Sequence, residues 1–257
     1  MKTVLIKCGG SVIEELSSAF FKSLKELQQE GYYVLIVHGG GADINQALDL
    51  YKIPHEFKNG LRRTTKEAME IVEMVLSGKT NRKLVSLLDS YHFKAIGMNG
   101  SDGHFLEADF IDQENLGYVG EVTTVNPEVI SMLLRENYLP VITPIAVTEQ
   151  GVKLNINADF AAAAVANALN VDHCLFVTDV EGIMLDGKLA QQLGTDEVEK
   201  YIENGEITGG MIPKVTSAVA AIQKGLHSVK IVSGKKQFFS QNNWCGTEIK
   251  ANLGVLR

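Results

Sequence analysis

The 257 residues are 45% hydrophobic and 21% charged, proportions that support a sizeable core in one large α/β domain or two lobes. A formal net charge of −7 argues against the clustered basic face that a nucleic-acid backbone requires. The sequence shows no charged-then-apolar leader and no apolar run long enough to span a bilayer, so a soluble, cytoplasmic protein is expected. Cys8, Cys174 and Cys245 are widely separated, lie in or near apolar runs and lack Cys-x-x-Cys spacing; they read as buried thiols.

Val4-Leu5-Ile6 predicts a first strand that ends in Lys7-Cys8-Gly9-Gly10-Ser11, with structure starting at the N-terminus. Ser17 is placed to cap a helix carrying Phe20, Phe21, Leu24 and Leu27 on one face, and Gly31 stops it. Val34 to Val37 then reads as a buried parallel strand, followed by His38-Gly39-Gly40-Gly41 and a helix from Ala42. Each glycine costs backbone entropy, so three in a row after a strand fit an anion site better than a plain turn. Residues 53–63 predict a loop or small hairpin, and Thr64-x-x-Glu67 a capping box opening a helix toward Gly78.

Residues 94–98 give the next strand, and the alternation from His104 to Val125 predicts antiparallel hairpins. Asn126-Pro127 opens a helix to about Asn137, Leu139 to Ile145 supplies a strand, and residues 152–156 another. Asn157-Ala158-Asp159 starts an alanine-rich helix ending near Leu169. The remainder predicts a strand at 174–177, a turn from Thr178 to Gly182, a helix at 196–204, Gly209-Gly210, a helix from Pro213 to Lys224 and a strand at 229–232. Strands alternating with helices imply a mainly parallel sheet covered on both faces. A weak break falls near 170–172.

Ligands of open α/β sheets bind beyond the carboxyl ends of the strands, where Lys7 and His38 both fall. Lys7 alone reads equally as a solvated lysine ending a strand. Lys214 is more telling, because a cation in a first helical turn opposes the macrodipole by roughly 0.3–1 kcal/mol and makes better sense facing an anion. Two lysines beside Gly-Gly pairs suit a transferring phosphoryl group. Asp159 reads either as an ordinary acidic first-turn residue or as the group that holds both lysines. Asn155 and Asn157 alternate along a strand and are not expected both to face one ligand, so one of them would stay structural. Arg62 is either a surface arginine or a bidentate carboxylate clamp. No metal-ligand spacing, Walker A, Gly-x-Gly-x-x-Gly or Gly-x-Ser-x-Gly signature occurs.

Taken together, Ile6-Lys7-Cys8-Gly9-Gly10, Val37-His38-Gly39-Gly40-Gly41, Asn59-Gly60-Leu61-Arg62, Asn155-Ile156-Asn157-Ala158-Asp159, Thr178-Asp179-Val180-Glu181-Gly182-Ile183 and Gly209-Gly210-Met211-Ile212-Pro213-Lys214 resemble the amino acid kinase superfamily and, within it, the acetylglutamate kinases. The resemblance implies a three-layer αβα sandwich with a mainly parallel sheet. Residues 1–170 would form an acylamino-acid and dimerisation lobe, and residues 171–257 a nucleotide lobe. It implies ATP-dependent phosphorylation of the side-chain carboxylate of N-acetyl-L-glutamate, in arginine biosynthesis. A kinase for an aminoadipate derivative and a non-catalytic nucleotide or amino-acid sensor are the alternatives.

By the same resemblance, Lys7 and Lys214 would stabilise the transferring group and Asp159 would orient them. Gly40, Gly41, Arg62 and Asn155 would bind the acceptor. Gly9, Gly10, Thr178, Asp179, Val180, Glu181, Gly182, Ile183, Glu206, Ile207, Thr208, Gly209 and Met211 would bind nucleotide. Mg2+ would be held mainly by the ATP phosphates, with no dedicated protein ligands. A strand starting at about Thr3, without a preceding helix, implies an arginine-insensitive homodimer. A carboxylate acceptor is already ionised near neutral pH, which accounts for the lack of a catalytic base.

Overall fold

In the computed structural model, which describes residues 2–252, strands and helices alternate around an eight-stranded sheet. The chain opens with β1 (Thr3–Cys8), a 3-10 turn (Gly10–Glu15), α1 (Ser18–Gln29), β2 (Tyr33–His38) and α2 (Gly41–Leu50). A hairpin follows, β3 (Phe57–Lys58) and β4 (Leu61–Arg62), then α3 (Lys66–Glu73), a π-turn (Met74–Thr80) and α4 (Asn81–Ser90). Next come β5 (Ala95–Asn99), β6 (Leu106–Phe110), α5 (Gln113–Leu116), β7 (Val119–Val125) and α6 (Glu128–Arg135). The middle continues through β8 (Leu139–Thr143), β9 (Ile145–Val147), β10 (Lys153–Ile156), α7 (Ala158–Leu169) and β11 (His173–Thr178). Two short strands, β12 (Met184–Leu185) and β13 (Lys188–Leu189), precede β14 (Gln192–Gly194), α8 (Thr195–Glu203) and α9 (Met211–Gln223). The last elements are β15 (Ser228–Ser233), β16 (Phe239–Ser240), β17 (Asn243–Trp244) and β18 (Thr247–Lys250).

The sheet order is β14-β18-β15-β11-β1-β2-β8-β5, parallel from β15 through to β5, with β18 antiparallel to β15. The central strands are apolar through their middles, as at Val4-Leu5-Ile6 and Val34 to Val37, because both faces are covered. Period-two alternation sends Leu5, Leu35, Val37 and Phe176 into one core beneath α6, α7, α8 and α9, and Val4, Ile6, Ile36 and Val177 into another beneath α1 and α4. The result is three layers. β6, β7, β9 and β10 close a small barrel that shares the first core.

Several boundaries differ from the sequence reading, each for a physical reason. Thr65, not Thr64, caps α3 by accepting from the Ala68 N–H at 3.2 Å. Thr64 is instead buried, its backbone tied to Leu116 and Tyr118. Gly78 does not end a helix, since the chain passes through the π-turn into α4, whose Leu84 and Leu88 join the second core. The hairpin from β6 to β7 is interrupted by α5, which Asp112 caps. The run from 139 to 145 divides at Pro144, which lacks an N–H to donate, so β8 stays in the sheet while β9 joins the barrel. Helix α9 starts at Met211, two residues before Pro213. Cys8 and Cys174 are buried, and burial pushes both thiols up to about 12, whereas Cys245 is exposed rather than buried. Among the described residues no helix is long and apolar enough to cross a membrane.

Candidate active site

β1 sits between β2 and β11, where the connections diverge to opposite sides of the sheet and leave a crevice beyond the carboxyl ends. Lys7 lies at that edge, in register with Val37 and Phe176. It shares the face of Leu5 and so meets the N-terminus of α7, where its Nζ is 2.8 Å from Asp159 Oδ1. The side chains are only 18% and 13% exposed, so the pair is shielded without being sealed from water. Asn157 caps α7 by accepting from the N–H groups of Asp159 and Phe160, which fixes the carboxylate opposite the lysine.

On the β2 side lies a cavity of about 170 Å³ walled by the glycine turn, Arg62, Leu76, Val119 and the end of β10. The turn requires its small residues. A Cβ on Gly10 would fall 2.6 Å from Gly40 Cα, so the turns after β1 and β2 touch backbone to backbone. Gly39, Gly40 and Gly41 line the cavity, whereas Gly9 and Gly10, expected at the nucleotide, line neither this cavity nor the larger one on the β11 side. Arg62, 6% exposed, donates from Nη2 to the Gly41 carbonyl at 3.2 Å and stacks 4.6 Å from the centroid of the Phe57 ring. Its Nη1 is buried and has no acceptor among the described residues. A buried guanidinium donor left open beside a cavity calls for an anion. Contrary to the sequence expectation, Asn155 and Asn157 both line this cavity, because residues two apart along a strand share a face; Asn155 donates to Thr64 Oγ1 at 3.1 Å.

On the β11 side is a cavity of about 580 Å³ that gathers Asp179, Val180, Glu181, Gly182, Ile183, Glu206, Ile207, Thr208 and Met211. Thr178 and Gly209 do not line it. Thr178 instead shapes the turn through a 3.0 Å hydrogen bond to the Val180 carbonyl, and Gly209 takes φ +56° in the turn before α9. Thus β1 lies between the strands that lead to two cavities, the smaller beyond β2 and the larger beyond β11 and β15, while Lys7, Asp159 and Lys214 line neither.

Residues 2–233 match the amino acid kinase family. The chain belongs to that family. It is 49% identical to an acetylglutamate kinase of Geobacillus sp. (strain WCH70) over 254 residues, 99% of both chains. The acetylglutamate kinase of Geobacillus stearothermophilus is also 49% identical over 254 residues, 99% of this chain and 98% of the relative. Among solved structures, smu.665 from Streptococcus mutans UA159 superposes with a TM-score of 0.83 at 32% identity, covering 97% of this chain and 99% of that one.

Lys214 and His38 of this amino acid kinase also sit differently from the sequence expectation. Lys214 is ion-paired to Asp179, which lines the larger cavity, and not to Asp159, so Asp159 holds Lys7 alone. The hydrogen bond from Lys214 holds the Asp179 carboxyl below the usual carboxylate range. His38 ends β2 on the face opposite Lys7 and is wholly buried, so it does not enter the crevice. Burial brings its ring down to about 4, which keeps it neutral.

The sequence reading also missed Met184, Ser233, Lys235 and Lys236 in the larger cavity. Lys236 pairs with Glu181, and Lys235 with Glu15 at 2.9 Å. A signal was available: Ser233-Gly234-Lys235-Lys236 follows the carboxyl end of a parallel strand, the same grammar that singled out Lys7.

Proposed function

We propose that this kinase transfers the γ-phosphoryl group of ATP to the side-chain carboxylate of N-acetyl-L-glutamate, giving N-acetyl-L-glutamyl 5-phosphate and ADP in arginine biosynthesis. The observation that carries the acceptor assignment is the buried, unsatisfied Nη1 of Arg62 in a cavity of about 170 Å³. Arg62 would hold the α-carboxylate, and Asn155 would help to fix it. Ile44, Leu61, Val119 and Ile156 offer apolar wall to the acetyl group and the methylenes. The Gly40 and Gly41 turn would meet the reacting end, and the larger cavity would take the nucleotide, with Lys214 leaving Asp179 for the phosphates.

In this reading a side-chain carboxylate oxygen attacks the γ-phosphorus from the β2 side. The bond from that phosphorus to the β–γ bridging oxygen breaks, and its electron pair leaves with ADP. Lys7, held by Asp159 between the cavities, offsets the repulsion between two anions and the charge spread over the transferring oxygens. No proton moves, because the nucleophile is already ionised. Among the described residues no three His, Cys, Asp or Glu side chains converge to hold a metal, and Asp159 and Asp179 are engaged with lysines. A divalent ion, proposed as Mg2+, would arrive on the ATP phosphates and would neutralise charge there.

The proposal extends to an acylamino-acid lobe (1–170), a nucleotide lobe (171–257) and a cytoplasmic homodimer, for which light scattering is the test of assembly. The activity is tested by incubating the chain with Mg-ATP and N-acetyl-L-glutamate and trapping acyl phosphate with hydroxylamine. Hydroxamate formed in preference to that from N-acetyl-aminoadipate or glutamate is expected. ATP binding without hydroxamate from any acceptor would overturn the activity.

A further inference from the structure

His38 takes no part in the transfer described above, yet its buried ring is fully engaged. Nδ1 lies 3.1 Å from the carbonyl oxygen of Gly39, while Nε2 lies 3.1 Å from Asn81 Nδ2 and 3.2 Å from Thr143 Oγ1. A carbonyl oxygen only accepts, so Nδ1 carries a proton. The Asn81 amide is oriented independently: Nδ2 donates to the Val141 carbonyl at 2.9 Å, and Oδ1 accepts from Arg82. The amide therefore presents an N–H to Nε2, which must offer its lone pair. The network fits one state of the ring, neutral and protonated on Nδ1.

That state bears on the glycine turn. The Gly39 carbonyl and the Gly40 N–H belong to one planar trans peptide, and cis bonds are absent among the described residues. Holding the carbonyl toward His38 points the Gly40 N–H the opposite way, off the buried face. The Gly39–Gly40 peptide lies along the seam with the turn that follows Lys7, since a Cβ on Gly10 would fall 3.0 Å from the Gly40 nitrogen and 3.1 Å from the Gly39 oxygen. This N–H has no acceptor among the described residues, although Gly40 lines the acceptor cavity. Gly97 supports the arrangement from behind, because a Cβ there would overlap Arg82 and Asn81.

We infer that His38 is a positioning residue whose Nδ1–H clamps the Gly39 carbonyl and so aims the Gly40 N–H at an anionic oxygen of the reacting end. This rests on the acetylglutamate kinase activity proposed above and adds the device that pre-orients its backbone donor. A donor fixed before the substrate arrives needs no reorganisation during transfer.

Two substitutions separate aiming from packing. In His38→Asn the amide nitrogen takes the place of Nδ1 and still donates to Gly39. In His38→Gln the polar end reaches the place of Nε2 and still meets Asn81, but the clamp is lost. With rates corrected for the folded fraction, His38→Asn is expected to keep kcat within a few-fold, whereas His38→Gln loses about 10- to 100-fold in kcat with a smaller change in KM. Equal losses in both variants, or unchanged kcat in His38→Gln, would overturn the inference.

A long-range 1H–15N spectrum of histidine-labelled protein reads the ring without any substrate. A neutral His38 protonated on Nδ1 is expected; protonation on Nε2, or a charged ring at pH 7, refutes the clamp. Failure of the wild-type chain to form hydroxamate would instead refute the proposed activity, with the spectrum still deciding the state of the ring.

Discussion

At the scale of single residues, two ends of the acceptor call for different kinetic signatures. Lys7 touches the reacting group in the proposed transfer and binds the acceptor only weakly before charge develops. Lys7→Ala should therefore lower kcat by about 10²- to 10³-fold, the usual cost of losing a preorganised electrostatic partner, with a small change in KM. Steady-state hydroxamate rates give both constants; a large rise in KM with kcat intact would reverse the assignment. Arg62 works at the other end, where its interaction is the same in ground and transition states. Lysine cannot reproduce the planar fork, so Arg62→Lys should raise KM for the acceptor about tenfold or more while sparing kcat. An unchanged KM would remove Arg62 from the acceptor site. Asp159→Asn belongs with Lys7, because the amide no longer holds the ammonium at 2.8 Å electrostatically.

At the scale of elements, the turns after β1 and β2 form one unit. Gly10→Ala places a methyl group 2.6 Å from Gly40 Cα, and backbone does not give way as a side-chain tip would. A loss of about 1–3 kcal/mol is expected, read from urea midpoints. Gly210→Ala is the control, since its Cβ would meet nothing within 4 Å and its φ is −65°. It should be neutral or stabilise slightly by restricting the unfolded chain; equal damage from both would mean that the turns are not in contact.

These elements also show what the sequence could tell. The central strands were legible because long apolar runs covered on both faces leave few other readings. Their glycine turns and the α7 cap were legible because special backbone and orphan N–H groups demand particular residue types. The cap of α3 slipped by one residue, because Thr64 and Thr65 both carry the needed oxygen and tertiary contacts to Leu116 and Tyr118 decide between them. The π-turn and the strands from β16 onward carry too few residues to show a period. Lys214 could be tied to the site but not to Asp179, because that pairing joins a strand end to a helix far along the chain.

At the scale of the whole molecule, the alternation of β1 and β2 divides labour between the two faces of the sheet. Lys7 shares the face of Leu5 and reaches the crevice; His38 shares the face of Ile36 and ties β2 to β8 and α4. The same parity makes the fold acid-sensitive in a defined window. His38 is held at about 4 by burial, against an ordinary value of 6.5, so in this range the unfolded chain binds more protons than the folded one. Its contribution is complete above pH 6.5 and is lost as the pH falls toward 4. At 1.36 kcal/mol per unit this amounts to roughly 3 kcal/mol.

Asp43 and Asp179 are held below the usual carboxylate range, so they weaken the fold only at more acidic pH. His173, half-buried, is also lowered by burial and loses stability in the same direction as the pH falls. Comparing urea midpoints of the wild-type chain and His38→Asn between pH 7.5 and 4.5 separates the two histidines. The wild-type midpoint should fall steadily below pH 6.5 with an unchanged urea slope, and most of that fall should vanish in the variant. A midpoint that does not move in the wild type, or that falls equally in both proteins, would mean that the ring between β2 and α4 does not govern how the fold meets acid.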